Sequence, residues 1–107
     1  DQWKEAITRI PEGLRPGPYY VVGRALARQG EHTKAAVMLM RVPILYPHWP
    51  RLAAESLLSA GRSLTQIEQM PAAARLYREI IEKYSQFPAA EEARQRLKAL
   101  AVISAKK

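Results

Sequence analysis

The sequence predicts an all-α protein in which antiparallel helix pairs stack into an α-solenoid and a C-terminal capping helix closes the stack. Three observations carry that expectation. The chain repeats itself at a spacing of 38 residues: Gly23 lands on Gly61, Leu26 on Leu64, Ala35 on Ala73, Leu39 on Tyr77, Tyr46 on Tyr84, Trp49 on Phe87 and Pro50 on Pro88. A repeat of this length marks one supersecondary unit that buries its apolar face only by stacking on the next. Apolar residues recur at helical spacing throughout, and no stretch reads as a strand. The last segment has a single apolar stripe backed by a strongly polar side, as a terminal unit needs.

The bulk properties agree with one small domain. The chain has 107 residues, of which 48% are hydrophobic, an ordinary share for a globular protein. There is no cysteine, which excludes a disulfide framework and thiolate metal sites. No run of about eighteen apolar residues occurs, so no membrane-spanning helix is expected. No signal peptide is visible, and the chain begins at Asp1 rather than Met; it reads as a processed or excised piece of a longer protein. Lys and Arg total 17 against 10 Asp and Glu, a net charge of +7. That balance favours acidic partners. The charge is spread evenly, with eight basic and four acidic groups in residues 1–53 and nine and six in residues 54–107, so it reads first as a solvated surface.

Residues 1–10, with Trp3, Ala6, Ile7 and Ile10 on one face, read as a short amphipathic helix, the second helix of a truncated preceding repeat. Residues 11–18 hold three prolines and two glycines and read as a stiff, irregular connector. Together residues 1–18 form an approach to the main body, residues 19–107, within one domain overall. Residues 19–29 form the first helix of a complete unit, with Tyr19, Val22, Gly23 and Leu26 inward. Gly23, like Gly61 after it, lets a neighbouring helix approach closely, which offsets the ~1 kcal/mol that a mid-helix Gly costs. Gly30 suits a left-handed helix end. Residues 33–45 form the partner helix, with Ala35, Ala36, Leu39, Met40 and Val42 inward. Pro43 is expected to bend or stop that helix near Arg41, because an interior proline costs about 3 kcal/mol; Ile44, Leu45 and Tyr46 would then fill the gap before the next unit.

Residues 47–50, Pro-His-Trp-Pro, read as a rigid turn, and Trp49, the counterpart of Phe87, as a repeated core plug. Residues 51–67 repeat the first helix, with Leu52, Leu57, Ala60, Gly61 and Leu64 inward and Glu55, Ser59, Arg62 and Gln66 on the other side. Glu68-Gln69 make the second turn. Residues 70–84 repeat the partner helix, with Pro71 in its first turn, where proline is tolerated. Residues 88–103 form the capping helix. Ala90, Ala93, Leu97 and Leu100 make its stripe, Arg94, Gln95, Arg96 and Lys98 its outer side. Glu91 and Glu92 offset the helix dipole at its start.

The pattern resembles the tetratricopeptide repeat. The residues that carry the resemblance are Val22-Gly23 and Ala60-Gly61, the turn glycine Gly30, the buried Ala35 and Ala73, the large apolar Leu39 and Tyr77, and the closing Pro47. The second unit departs from the pattern, with Glu68 at the turn glycine and Ser85 at the closing proline. The family's usual spacing is 34 residues, and Ala72–Leu100 is similar to a longer-repeat subset from the bacterial envelope, which includes the Tol-Pal-associated periplasmic protein and the outer-membrane-assembly lipoprotein. The resemblance covers residues 16 to 100. It implies a right-handed solenoid, a protein-binding role, and a periplasmic or envelope location.

No catalytic constellation is legible. His32 and His48 fall in expected turns without ligand-spaced partners, and Asp1 is the one aspartate, so a Ser-His-Asp arrangement is not expected. No phosphate loop follows a strand. The expectation is a non-enzymatic chain with no cofactor and no metal. By the resemblance, the first helices of successive units line a concave groove showing Tyr20, Arg24, Arg28, Ser59, Arg62 and Gln66, a set whose guanidinium groups suit an acidic or amphipathic protein or peptide partner. The family's lysine and asparagine clamp for chaperone tails is not expected, because the chain has no asparagine. A second reading is a structural subunit or terminal fragment of a larger assembly, making contacts through Trp3, Val102 and Ile103. Nucleic acid ranks last: clustered basic residues interleaved with aromatics are missing.

Overall fold

The computed structural model describes residues 16–105 and is all-helical over them, with five helices: α1 (Pro16–Arg28), α2 (His32–Leu45), α3 (Pro50–Gln66), α4 (Met70–Lys83) and α5 (Pro88–Ala105). The expected short helix over residues 1–10, Trp3 within it, and most of the connector lie outside the described residues. Each helix packs chiefly on its neighbours in sequence, and α3 also touches α1 and α5. The molecule measures 47 × 30 × 16 Å.

The 38-residue spacing of the sequence recurs in the backbone hydrogen bonds. After α1, the Glu31 N–H donates to the Leu26 carbonyl at 2.9 Å and the Gly30 N–H to the Ala27 carbonyl at 3.0 Å. After α3, Gln69 donates to Leu64 at 2.8 Å and Glu68 to Thr65 at 3.1 Å. Both are Schellman ends, which require a left-handed residue at the position just past the helix. Gly30 supplies it at φ 84°, and Glu68 supplies it at φ 60°, a conformation an L side chain adopts at some cost. The turns between units also repeat: Tyr46 donates to Val42 and Tyr84 to Ile80, then Trp49 to Tyr46 at 3.2 Å and Phe87 to Tyr84 at 3.1 Å.

The two helical glycines explain why these pairs are so close. A Cβ built on Gly23 would stand 2.5 Å from Leu39 Cγ, and one on Gly61 would stand 2.6 Å from the Tyr77 ring. Leu39 and Tyr77 are both fully buried. The same core holds Ala35, Ala73, Val42, Leu57 and Ala60 from the expected inward faces, together with Ile80, and is continued by Ala90, Ala93 and Leu100 of α5. Small residues at Ala35 and Ala73 serve the same purpose as the glycines: they bring the helix axes within reach of the larger side chains one turn on.

Four expectations need correction. Residues 16–18 are not connector but the first turn of α1. Prolines are tolerated there because the first N–H groups of a helix have no intrahelical partner anyway. Pro43 does not stop α2, which runs on to Leu45; so close to the helix end, proline removes one bond from the last turn rather than breaking a ladder. Ile44 and Leu45 do not fill the gap between units but face solvent, and Tyr46 alone packs inward, its ring 6.1 Å from that of Tyr19. Trp49 is not a core plug: it is 46% exposed, while Phe87 packs against the core. Phe87 and Trp49 both line an apolar depression with Pro50 and Leu52 at the start of α3, but only Phe87 also packs against the core.

Candidate functional site

Two helices build the groove from their periodicity. On α1, Tyr20, Arg24 and Arg28 are spaced four apart and so line up along one side. On α3, Ser59, Arg62, Ser63 and Gln66 follow the same rule at three- and four-residue steps. Because α1 and α3 touch, the two rows face a common depression of about 260 Å³. Arg24, Arg28, Ser59, Arg62 and Gln66 all line it. Tyr20 stands one turn back along α1. Its hydroxyl accepts from Arg24 Nη1 at 3.5 Å, and its ring centroid lies 5.5 Å from Arg24 Cζ. That ring fixes where the Arg24 guanidinium points, at the strength of an exposed cation–π contact.

The three arginines are not equivalent. Arg28 is exposed and makes no ion pair among the described residues. Arg24 is exposed, and among the described residues its guanidinium bonds to Tyr20. Arg62 is half-buried and held on both sides: Nη2 donates to Ser59 Oγ at 3.0 Å, and Nη1 pairs with Glu92 Oε2 on α5 at 3.3 Å. The same carboxylate oxygen accepts from Arg96 Nε at 2.8 Å. Arg62 is therefore part of the seam between α3 and α5, and the open positive charge of the groove belongs to Arg24 and Arg28.

Three lining residues were missed from sequence. Ala27 completes the wall between the two α1 arginines. His32 is not in a turn but opens α2, and its Nδ1 lies 3.3 Å from Ser63 Oγ. Ser63 and Ser59 are buried hydroxyls, contrary to the outward position expected for Ser59. Neither placement has a periodic signal, since small polar residues fit buried helix contacts and solvent alike. Glu92 was read as dipole compensation, a role that Glu91 retains in the first turn of α5. Its pairing across 30 residues with Arg62 follows no local spacing.

Chemically, the groove offers two free guanidinium groups, an imidazole, two hydroxyls and an amide, with no carboxylate among its lining residues. Such a set donates hydrogen bonds to anionic or carbonyl oxygen. His32 and Ser63 do not extend to a triad: among the described residues no carboxylate bonds to the imidazole, and a nucleophile–base pair needs that third group for orientation. Compared with known proteins, the chain matches no family model, no curated protein and no solved structure.

Proposed function

We propose that this chain is a non-enzymatic protein-interaction module, a tetratricopeptide-like right-handed α-solenoid that holds an acidic segment of a protein partner against α1 and α3. The observation that carries this reading is the groove itself: five of the six residues expected from sequence converge on one depression, and its two outermost cations, Arg24 and Arg28, have no acidic partner among the described residues. The recurrence of helix ends, glycine contacts and turn bonds at 38 residues supports a solenoid, as does the contact of α3 with both α1 and α5. In that arrangement the first helices of successive units line one surface.

The test is capture of partners by the isolated chain at low and high salt, followed by the double reversal Arg24→Glu and Arg28→Glu. Both residues are exposed, so the variant keeps the fold. Loss of one dominant acidic partner, by roughly tenfold or more in affinity, supports the reading; an unchanged partner profile overturns it. Arg62 is unsuitable for this test, because reversing it would set two carboxylates against each other at the α3–α5 seam.

A second reading is favoured by one observation. Val102 and Ile103 on α5 remain 54% and 42% exposed, as contacts to a neighbouring subunit would be in a larger assembly. Light scattering separates the two: self-association abolished by Val102→Glu favours the assembly reading, and a monomer at high concentration favours the module.

A further inference from the structure

The outer side of α2 breaks a rule that the outer side of α4 keeps. Lys34, Val37, Arg41, Ile44 and Leu45 share the side of α2 turned away from the core, as 3.6-residue periodicity requires. Val37 is 54% exposed, Ile44 72% and Leu45 53%, and Trp49 follows at the next turn. One repeat later the equivalent positions are Arg75, Glu79, Glu82 and Lys83 for Val37, Arg41, Ile44 and Leu45. The architecture is therefore satisfied by charged residues there, and the first unit's apolar ones are not demanded by packing. Four of the seven large apolar side chains that the described residues expose lie between Val37 and Trp49. A concentration of that kind marks a contact surface.

The charge within this segment of the chain is basic. From His32 to Ala54, 23 consecutive residues contain no Asp or Glu, while Lys34, Arg41 and Arg51 are basic. The bounding acids are Glu31, which pairs with Lys34 at 3.8 Å, and Glu55, half-buried on α3 beside Arg51. We propose that this side of α2 and the turn after it form a docking surface for an anionic lipid membrane. Ile44, Leu45 and Trp49 enter the interface, and Arg41 and Arg51 meet the headgroup charge. Ile44 and Leu45 stand exposed at a helix-to-helix corner, beside the apolar depression that Trp49 lines with Leu52 and Phe87, and an exposed apolar corner suits shallow insertion into a lipid boundary. An indole ring settles at headgroup depth. Apolar insertion and basic residues are the two signals that together hold a peripheral protein at a membrane. Among the described residues no helix is long and apolar enough to cross one, so the association is peripheral. It is distinct from the Arg24–Arg28 groove, which lies on α1 and α3.

The test is cosedimentation of the full chain with vesicles of phosphatidylcholine alone and of equal parts phosphatidylcholine and phosphatidylglycerol. The informative variant is Ile44→Glu with Leu45→Lys, which leaves the net charge unchanged and installs the residues of α4 at equivalent exposed positions. The expected result is tighter binding to the anionic vesicles than to phosphatidylcholine alone, weakened at least about tenfold in the variant, with a blue shift of Trp49 emission on binding in a Trp3→Phe background. Failure to bind anionic vesicles at low salt overturns the proposal. Undiminished binding of the variant also overturns it, since net charge alone would then account for the association. A third overturning result is a dimer in light scattering that the variant abolishes, because a second copy would then be the occupant of the patch.

Discussion

The matched pair Gly61 and Tyr77 shows how tightly single positions are determined here. Alanine at 61 would place a methyl 2.6 Å from a ring that is fully buried. Overpacking of that kind costs roughly 1–3 kcal/mol, against about 1 kcal/mol regained in helix propensity. Gly61→Ala should therefore lower stability in chemical denaturation, and its cost should shrink in a Tyr77→Ala background, where the ring it meets is gone, as read in a double-mutant cycle. Tyr77 carries a second liability: its hydroxyl is buried with no hydrogen-bond partner. A desolvated, unpaired hydroxyl is destabilising by about 1–3 kcal/mol, so Tyr77→Phe should be neutral or raise the melting temperature. A lower melting temperature would show that the hydroxyl is satisfied in solution. Glu68 offers the converse. At φ 60° it carries backbone strain that Gly30 avoids, and Glu68→Gly should stabilise by about 0.5–1 kcal/mol after the flexibility of glycine is allowed for. Gly30→Ala should destabilise by a similar amount.

The helices are held by two kinds of contact with different weights. Within each pair, Ala35 and Ala73 are completely buried at the closest approach. Ala35→Leu or Ala73→Leu should cost about 1–3 kcal/mol by forcing the helices apart, and tolerance of leucine at both positions would contradict the observed packing. Between α3 and α5, the Arg62–Glu92–Arg96 cluster adds a polar clasp beside the common core, to which α5 contributes Ala90 and Ala93. Its members are partly exposed and screened by water, so Glu92→Gln should cost no more than about 1 kcal/mol. The cost should shrink in high salt, as expected of a half-exposed ion pair. The helix ends show the same economy. No side-chain cap bond closes the starts of α2, α3 and α4, and α3 and α4 instead place proline in the first turn.

Taken together, the five helices present two surfaces of different character. The groove between α1 and α3 gathers donors around two free arginines, and the outer side of α2 gathers apolar residues in an acid-free segment. Ionic strength should separate them. Partner capture through Arg24 and Arg28 should weaken steadily as salt rises, because the exposed guanidinium groups lie within reach of screening ions. Vesicle binding should fall with salt only as far as its electrostatic share and should retain the part carried by Ile44, Leu45 and Trp49. An arginine reversal that abolishes vesicle binding while leaving partner capture intact would invert the assignment of the two surfaces.

The helical repeat is legible in the sequence because its signals are local. A 3.6-residue rhythm, a glycine where two helices meet, an alanine one helix later and a closing aromatic all lie within one 38-residue unit. Five of the six residues that the tetratricopeptide resemblance implied for a groove line one depression. What no local rule could supply were contacts between residues far apart in the chain: Arg62 with Glu92, His32 with Ser63, and the burial of Ser56, Ser59 and Ser63. Equivalence in sequence also failed to guarantee equivalence in environment. Trp49 and Phe87 occupy matching positions, yet only Phe87 packs against the core, because burial depends on which helix lies alongside and not on the residue's place in its own unit.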